Sequence, residues 1–284
     1  MIDKTVDLYG YFGVPRENDG GGSLLCRVSG DLCLPQWDRK RPAILILPGG
    51  GYHHTSLREA EPVALRFAAA GWAAFVLHYS CAPARFPVAL REAAMAMRYI
   101  RENAAEFGIH PNMVAALGFS AGGHLCGCLG TLFDSGVLSD LGAPELLRPD
   151  GLCLCYPVTV SGGRTHEGSF ENLCGDDAAL RQRLSLEKLV RGDMPPVFLW
   201  HTRSDESVPC IGSLILAQAL EEAGVDFAMH LYRRGLHGLA TGGIESNAPD
   251  TLPGTSWDVP GWTDACLRFF GEIGLKITDE RMLL

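Results

Sequence analysis

No run of apolar residues in this sequence approaches the roughly 20 that a membrane-spanning helix requires, so no membrane partner is expected. Low-complexity tracts, internal repeats and long runs of like charge are missing as well. So is a basic stripe: 24 Lys and Arg stand against 33 Asp and Glu, for a formal net charge of −9. Nucleic acids and anionic lipid surfaces are held by clustered positive charge, and neither is expected as a partner. The first residues, Met1-Ile2-Asp3-Lys4-Thr5-Val6-Asp7, lack the apolar core of a signal peptide, and a cytoplasmic location is expected from that. The 10 cysteines lack the spacing of a zinc site: Cys153 and Cys155 share one face of a strand, but no matching pair follows. Cys126, Cys128, Cys153, Cys155 and Cys266 lie in apolar segments and read as buried reduced thiols rather than a disulfide framework. Neither a metal nor a cofactor is expected.

What is present is an ordinary globular composition, 47% hydrophobic and 20% charged over 284 residues. No composition break divides it, and residues 1–284 read as a single domain. Near the N-terminus, residues 6–11 and 24–28 are short strand candidates of a β-hairpin region, joined by the turn Asn18-Asp19-Gly20-Gly21-Gly22. Residues 43–47, 72–77, 113–117, 150–156, 197–201 and 227–232 read as further strands, the most apolar of them buried on both faces. A helix is expected from Glu61 to about Ala70-Gly71, with Pro62 in its first turn. Ser56 and Glu59 have capping-box spacing, but a start there would put Pro62 inside the helix. Other helices are expected over residues 86–107, 211–223 and 258–270. Residues 158–194, polar at first and then helical around 177–190, read as an insertion that borders a pocket. Strands alternating with helices predict an α/β fold, a mostly parallel twisted sheet with helices on both faces.

Gly118-Phe119-Ser120-Ala121-Gly122 stands between an apolar run suited to a buried strand and residues 123–129, small and apolar enough for a buried helix. A strand, a sharp turn and a helix put Ser120 at the apex in a strained backbone conformation. Glycines two positions before and two after give the room that such a turn needs. The helix N-terminus beneath it offers free N–H groups and partial positive charge to a developing anion.

A serine hydroxyl is a weak nucleophile until a base takes its proton, and that base needs an orienting carboxylate. In an open α/β sheet these groups come from the C-terminal ends of strands. Of the 9 histidines, His78 and His230 lie inside strands, His124 is on the helix after Ser120, and His110 and His166 sit in connections. His201 ends a strand but precedes the acid candidate, and His53 and His54 stand near a glycine loop, within reach of substrate. His237, in Gly235-Leu236-His237-Gly238-Leu239, directly follows the last strand and is the candidate base. Asp205, in Thr202-Arg203-Ser204-Asp205-Glu206, is the candidate orienting acid, with Glu206 solvated and Asp176 and Asp177 in the insertion. The order Ser120, Asp205, His237 is the one expected of such a fold. Pro48-Gly49-Gly50-Gly51 follows a buried strand and can turn N–H groups toward a substrate carbonyl, and the Ala121 N–H is the other donor.

Taken together, Pro48-Gly49-Gly50-Gly51-Tyr52, Gly118-Phe119-Ser120-Ala121-Gly122-Gly123-His124, His201-Thr202-Arg203-Ser204-Asp205 and Gly235-Leu236-His237-Gly238 resemble α/β-hydrolase-fold esterases. The nearest group is the bacterial acetyl esterases and acetylxylan esterase-like carbohydrate esterases. The resemblance runs from about Ala43 to the C-terminus, with further matches at Arg58-Glu59-Ala60-Glu61-Pro62 and Tyr156-Pro157-Val158. Many lipase-like relatives carry His-Gly-Gly-Gly at the oxyanion loop, whereas this chain has Pro48 in the histidine's place. The resemblance implies Gly50 and Gly51 as oxyanion donors beside Ala121, a backbone role that Pro48 leaves intact.

It also implies a serine carboxylesterase that removes short acyl groups, above all acetyl, from a carbohydrate or small alcohol. The expected partner is thus a small-molecule or oligosaccharide ester; nothing in the sequence sets an oligomeric state. Tyr52, His53 and Trp257 are candidate substrate contacts, because aromatic faces beside polar groups suit a sugar ring. Trp262, on a helix, reads as core. Two other functions fit the same residues: a serine peptidase or amidase of this fold, and a non-catalytic binding module. Turnover of a simple acetate ester separates an esterase from a binding module, and comparison with the matching amide separates it from a peptidase.

Overall fold

The computed structural model describes residues 2–16, 20–30, 39–252 and 254–279. Its strands are β1 (Ile2–Asp7), β2 (Ser23–Val28), β3 (Arg39–Leu47), β4 (Ala73–His78), β5 (Ile109–Phe119), β6 (Gly151–Cys155), β7 (Val197–Thr202), β8 (Phe227–Tyr232) and β9 (Thr278–Asp279). They join in the order β1-β2-β4-β3-β5-β6-β7-β8, with β9 pairing β3 off that path. The β1–β2 and β2–β4 pairs are antiparallel, and every pair from β4 across to β8 is parallel. The helices are α1 (Leu8–Phe12), α2 (Glu61–Ala69), α3 (Val88–Glu102), α4 (Ala104–Phe107), α5 (Ala121–Leu132), α6 (Pro144–Leu147), α7 (Glu167–Cys174), α8 (Ala178–Arg183), α9 (Leu186–Leu189), α10 (Ile211–Ala223) and α11 (Trp262–Glu272).

Leu45 and Leu47 of β3 enter one apolar core and Ile44 and Ile46 the other; Leu199 and Trp200 divide the same way on β7. The inner stretches of the central strands, residues 43–47, 114–117, 152–155 and 197–200, are apolar at every position because both faces of the sheet are covered there. On the first face α3, α5 and α10 contribute Ala93, Met97, Leu125, Leu129 and Leu216. On the second, α2 and α11 contribute Val63, Phe67, Trp262 and Phe270. Parallel strands joined through helices end on one edge of the sheet, so the turns after β3, β5, β7 and β8 lie together there.

This is the mostly parallel α/β architecture that the alternation of elements predicts. The N-terminal region departs from expectation in detail. β1 and β2 do pair as a hairpin, but the first strand stops at Asp7, whose carboxylate accepts the Tyr9 N–H at 3.2 Å and caps α1. Residues 8–11 are therefore helical rather than extended. Asn18 and Asp19 of the expected turn lie outside the described residues. The helix expected over residues 86–107 is interrupted at Asn103, whose side-chain amide donates to the Tyr99 carbonyl at 2.8 Å and so competes with the helical backbone. The segment 158–194 forms three short helices, α7 to α9. α2 begins at Glu61 with Pro62 in its first turn, as the spacing predicts. All nine described cysteines are free. Among the described residues no helix is long and apolar enough to cross a membrane.

Candidate active site

Ser120 sits at the junction of β5 and α5 with φ 53° and ψ −118°. Two glycines make that turn possible. A Cβ on Gly118 would stand 2.1 Å from the Gly122 carbonyl oxygen, and one on Gly122 would stand 2.1 Å from the Leu47 carbonyl oxygen. Both obstacles are backbone and cannot swing away, so only glycine fits. The turn is anchored by Ser120 N–H to the Cys155 carbonyl at 3.0 Å and by Val158 N–H to the Ser120 carbonyl at 3.0 Å.

The Ser120 hydroxyl lies 2.8 Å from His237 Nε2, and His237 Nδ1 lies 2.6 Å from Asp205 Oδ2. With a carboxylate on its Nδ1 side, the imidazole carries its proton there and leaves Nε2 as the acceptor. The loops that carry these two residues are tied to one another. Thr202 Oγ1 and Ser204 Oγ donate to the Gly235 carbonyl at 2.9 and 3.1 Å, and Arg203 N–H donates to the Tyr232 carbonyl at 2.8 Å. Asp205 Oδ1 accepts the Ser207 and Val208 N–H groups at 3.0 and 2.9 Å. Its Oδ2 also stands 3.3 Å from His201 Nε2, so His201 supports the acid. Glu206 is exposed.

In the glycine loop the peptide carbonyls are pinned outward. Gly49 O accepts Ser56 N–H at 2.9 Å, and Gly50 O accepts the N–H groups of His53 and His54 at 3.0 and 3.2 Å. A trans peptide points its N–H opposite its carbonyl, so fixing these two oxygens fixes the directions of the Gly50 and Gly51 N–H groups. Gly50 and Gly51 have φ 123° and 65°. Among the described residues, no acceptor is bonded to the N–H of Gly50, Gly51 or Ala121. Gly49 packs directly on the nucleophile turn: a Cβ there would stand 3.0 Å from Ser120 Cβ.

The three candidate substrate contacts fare differently. Tyr52 is a correction: it is buried, with its hydroxyl 2.8 Å from His124 Nδ1 and its ring against Tyr79 and His124. A buried phenol needs a hydrogen-bond partner and has found one inside, so its face is not offered to solvent. His53 is exposed and meets His54 edge to face. Trp257 is 92% exposed, on a segment anchored by Ser256 N–H to the Arg234 carbonyl at 2.9 Å. Trp262 is fully buried.

Sequence reasoning assigned no role to several residues that hold the site. Glu59 Oε2 accepts the Gly49 N–H at 2.9 Å, and Oε1 accepts the Tyr156 hydroxyl at 2.7 Å. Tyr79 donates to the Pro48 carbonyl at 2.6 Å, and Asn172 of α7 donates to the Gly51 carbonyl at 2.9 Å. The short matches around Glu59 and Tyr156 were the available signal for the first pair. Asn172 follows from the insertion lying against the glycine loop, which also brings His166 Cε1 to 3.5 Å from where a Gly51 Cβ would be.

A hydroxyl bonded to an imidazole, a buried carboxylate behind that imidazole and unpaired N–H groups on two adjacent loops are the parts of an acyl-transfer site. Comparison with known proteins points the same way. Residues 31–141 match the BD-FAE family model. The acetyl ester-xyloside bifunctional hydrolase of Caldicellulosiruptor lactoaceticus is similar with a TM-score of 0.81 at 34% identity, over 96% of this chain and 97% of that one. A carboxylesterase from Lactobacillus plantarum WCFS1 has a TM-score of 0.81 at 26% identity, over 97% of this chain and 98% of its own. The endo-1,4-beta-xylanase B of Butyrivibrio fibrisolvens is 38% identical over 218 residues, 73% of this chain and 34% of that protein. The acetylxylan esterase of Xylanibacter ruminicola is 29% identical over 233 residues, 79% of this chain and 45% of that protein. The chain thus spans a third to a half of the length of these curated relatives.

Proposed function

Because the chain belongs to the α/β-hydrolase esterases, we propose that it is a serine carboxylesterase acting on short-chain esters, acetyl above all, of a carbohydrate or small alcohol. The observation that carries this is the unbroken line of hydrogen bonds from Asp205 Oδ2 through the His237 ring to Ser120 Oγ, at 2.6 and 2.8 Å. Ser120 is the nucleophile, His237 the base and Asp205 its orienting acid; the N–H groups of Gly50, Gly51 and Ala121 receive the oxyanion.

In the first half of the reaction Ser120 Oγ bonds to the ester carbonyl carbon as its proton passes to His237 Nε2. The carbonyl electrons move onto oxygen, where the three N–H groups stabilise them. Collapse breaks the bond to the alcohol oxygen, which takes the proton from Nε2 and leaves. In the second half a water molecule loses a proton to Nε2, bonds to the acyl carbon and displaces Ser120, which recovers that proton. Asp205 keeps the imidazolium oriented throughout.

Space supports the short acyl group. Behind the glycine loop Tyr52, His124, Val158, Ser169, Phe170 and Leu173 pack against one another and leave no channel wide enough for a water molecule. Each extra methylene would have to be accommodated against packed side chains. The names of the similar acetylxylan esterase and acetyl ester-xyloside hydrolase support a carbohydrate alcohol. The test is a series of nitrophenyl esters from acetate to decanoate, run beside acetylated xylo-oligosaccharides and the anilide matching the acetate ester. Expected are acetate release from the sugars, a fall in kcat/KM beyond about four carbons, and little anilide cleavage. In Ser120→Ala, ester turnover should fall by about four to six powers of ten with the fold retained. An optimum at octanoate with no acetate from the sugars would overturn the substrate class; near-normal turnover in Ser120→Ala would overturn the nucleophile.

A further inference from the structure

Glu59 belongs to none of the three groups that the reaction uses, yet it lies at their centre. It is 3% exposed, at the end of the 3-10 turn Leu57–Glu59. One oxygen takes the Gly49 N–H at 2.9 Å and the other takes the Tyr156 hydroxyl at 2.7 Å. Tyr156 Oη in turn accepts the Ala240 N–H at 2.9 Å, and the Tyr156 ring meets the His237 ring edge to face at 5.0 Å. One carboxylate therefore joins the loop after β3, the loop after β6 and the loop that carries His237. Burying a carboxylate is unfavourable unless each oxygen is used, and here each one is.

Backbone geometry gives an independent reason for such a tie. The non-glycine residues with positive φ among those described are Tyr52 at 57°, Ser120 at 53°, Tyr156 at 37° and Ala240 at 50°. Tyr156 and Ala240 are bonded within the Glu59 network. Tyr52 adjoins the glycine loop that Glu59 holds, and Ser120 packs on Gly49. Strained conformations persist only where the surroundings over-determine them.

We propose that Glu59 is a positioning residue whose carboxylate holds the oxyanion loop and the His237 loop in register, so that donors and base meet the same carbonyl group. This rests on the esterase reading above. A glutamine at 59 would turn an NH2 group toward one of two donors, and Tyr156→Phe removes the link from Glu59 to Ala240 without touching a charge. The experiment measures kcat and KM for nitrophenyl acetate, the number of active sites from the acylation burst, and amide hydrogen exchange, in wild type, E59Q, Y156F and the double variant. Expected is a kcat roughly 30–100-fold lower in E59Q, from misplaced groups rather than lost ones, with KM within about threefold. Y156F should show a loss in the same direction, and the double variant should fall well short of the product of the two losses. Exchange should quicken together at residues 49–52 and 238–241 in both single variants. Wild-type kcat in E59Q, a loss that is entirely a loss of titratable sites, or exchange confined to residues 49–52 would overturn the proposal. Should E59Q fail to fold, Y156F carries the same expectations. Turnover that survives Ser120→Ala would remove the esterase reading and leave the exchange data to decide the tie.

Discussion

The Asp205 side chain is fully buried and nevertheless holds its charge. Burial alone would push its carboxyl toward protonation. The bonds from His201 and His237, with the Val208 N–H, outweigh that and hold it well below the usual carboxylate range. Asp205 therefore stays ionised across the range in which an imidazole can act as a base. Two outcomes follow at this scale. kcat/KM should show no step of carboxylate character across the range in which an imidazole acts as a base, because Asp205 is already ionised there. Such a step in a pH–rate profile would contradict it. Asp205→Asn keeps the size of the side chain but offers an NH2 group that favours the other tautomer, so kcat should fall by about 10⁴. A loss smaller than tenfold, measured on nitrophenyl acetate, would remove Asp205 from the role of orienting group.

α11 brings its first residue under the site. Trp262 is fully buried, stacks on Trp200 with ring centroids 5.3 Å apart, and donates from Nε1 to the Ala240 carbonyl at 2.9 Å. Trp262→Ala should cost about 3–5 kcal/mol of stability, read from urea unfolding, because a rigid core leaves a cavity of ring size. Trp262→Phe keeps most of the apolar contact and loses the bond to Ala240, so it should cost about 1–3 kcal/mol. Equal stability of the two variants would mean that packing contributes nothing there. The same element shows why some of this molecule was legible in its sequence. Trp262 on a helix reads as core from its surroundings alone, and the buried strands stand out because apolar residues occupy both faces. Ser120, Asp205 and His237 could be singled out because each must end a strand, which leaves few places for each residue type. What escaped depends on partners distant in sequence. Residues 8–11 have the apolar and aromatic character of a strand, and it takes the cap from Asp7 and the core beneath to make them helix. β9 is two residues long and exists through its pairing with Arg39 and Lys40. Glu59 looked like a capping residue, because nothing local reveals that Tyr156, 97 positions away, donates to it.

Across the molecule, buried titratable groups set how stability depends on pH, and His124 dominates among the imidazoles. It is 1% exposed, with Nε2 donating to the Leu184 carbonyl at 2.7 Å and Nδ1 accepting the Tyr52 hydroxyl at 2.8 Å. Burial pushes its pKa down from 6.5 to about 4, and the Leu184 carbonyl only partly offsets this. The unfolded chain takes up a proton there near pH 6.5 and the native protein only near pH 4. Between those values the unfolded state binds the additional proton, so stability falls as the pH is lowered. By pH 4.5 the loss should reach about 2–3 kcal/mol, a substantial part of the 5–15 kcal/mol typical of a folded domain. His78 and His230, whose pKa values burial also lowers, act in the same direction, more weakly because water reaches them. Glu92 opposes them: burial raises its carboxyl above 4.5, so its contribution is present in acid and fades as pH rises through its native value. Below about 3.8 Asp205 adds a further loss, because the unfolded chain takes up a proton there while the native carboxylate stays ionised. His124 bridges α5, the residue that follows the glycine loop and the insertion, so acid loosening should begin beside Ser120. Urea unfolding of wild type and His124→Gln at pH 7 and pH 4.5 tests this. The variant should be less stable at pH 7 yet lose about 2–3 kcal/mol less than wild type between the two conditions. If both proteins lose the same amount, the proton that drives acid unfolding binds elsewhere.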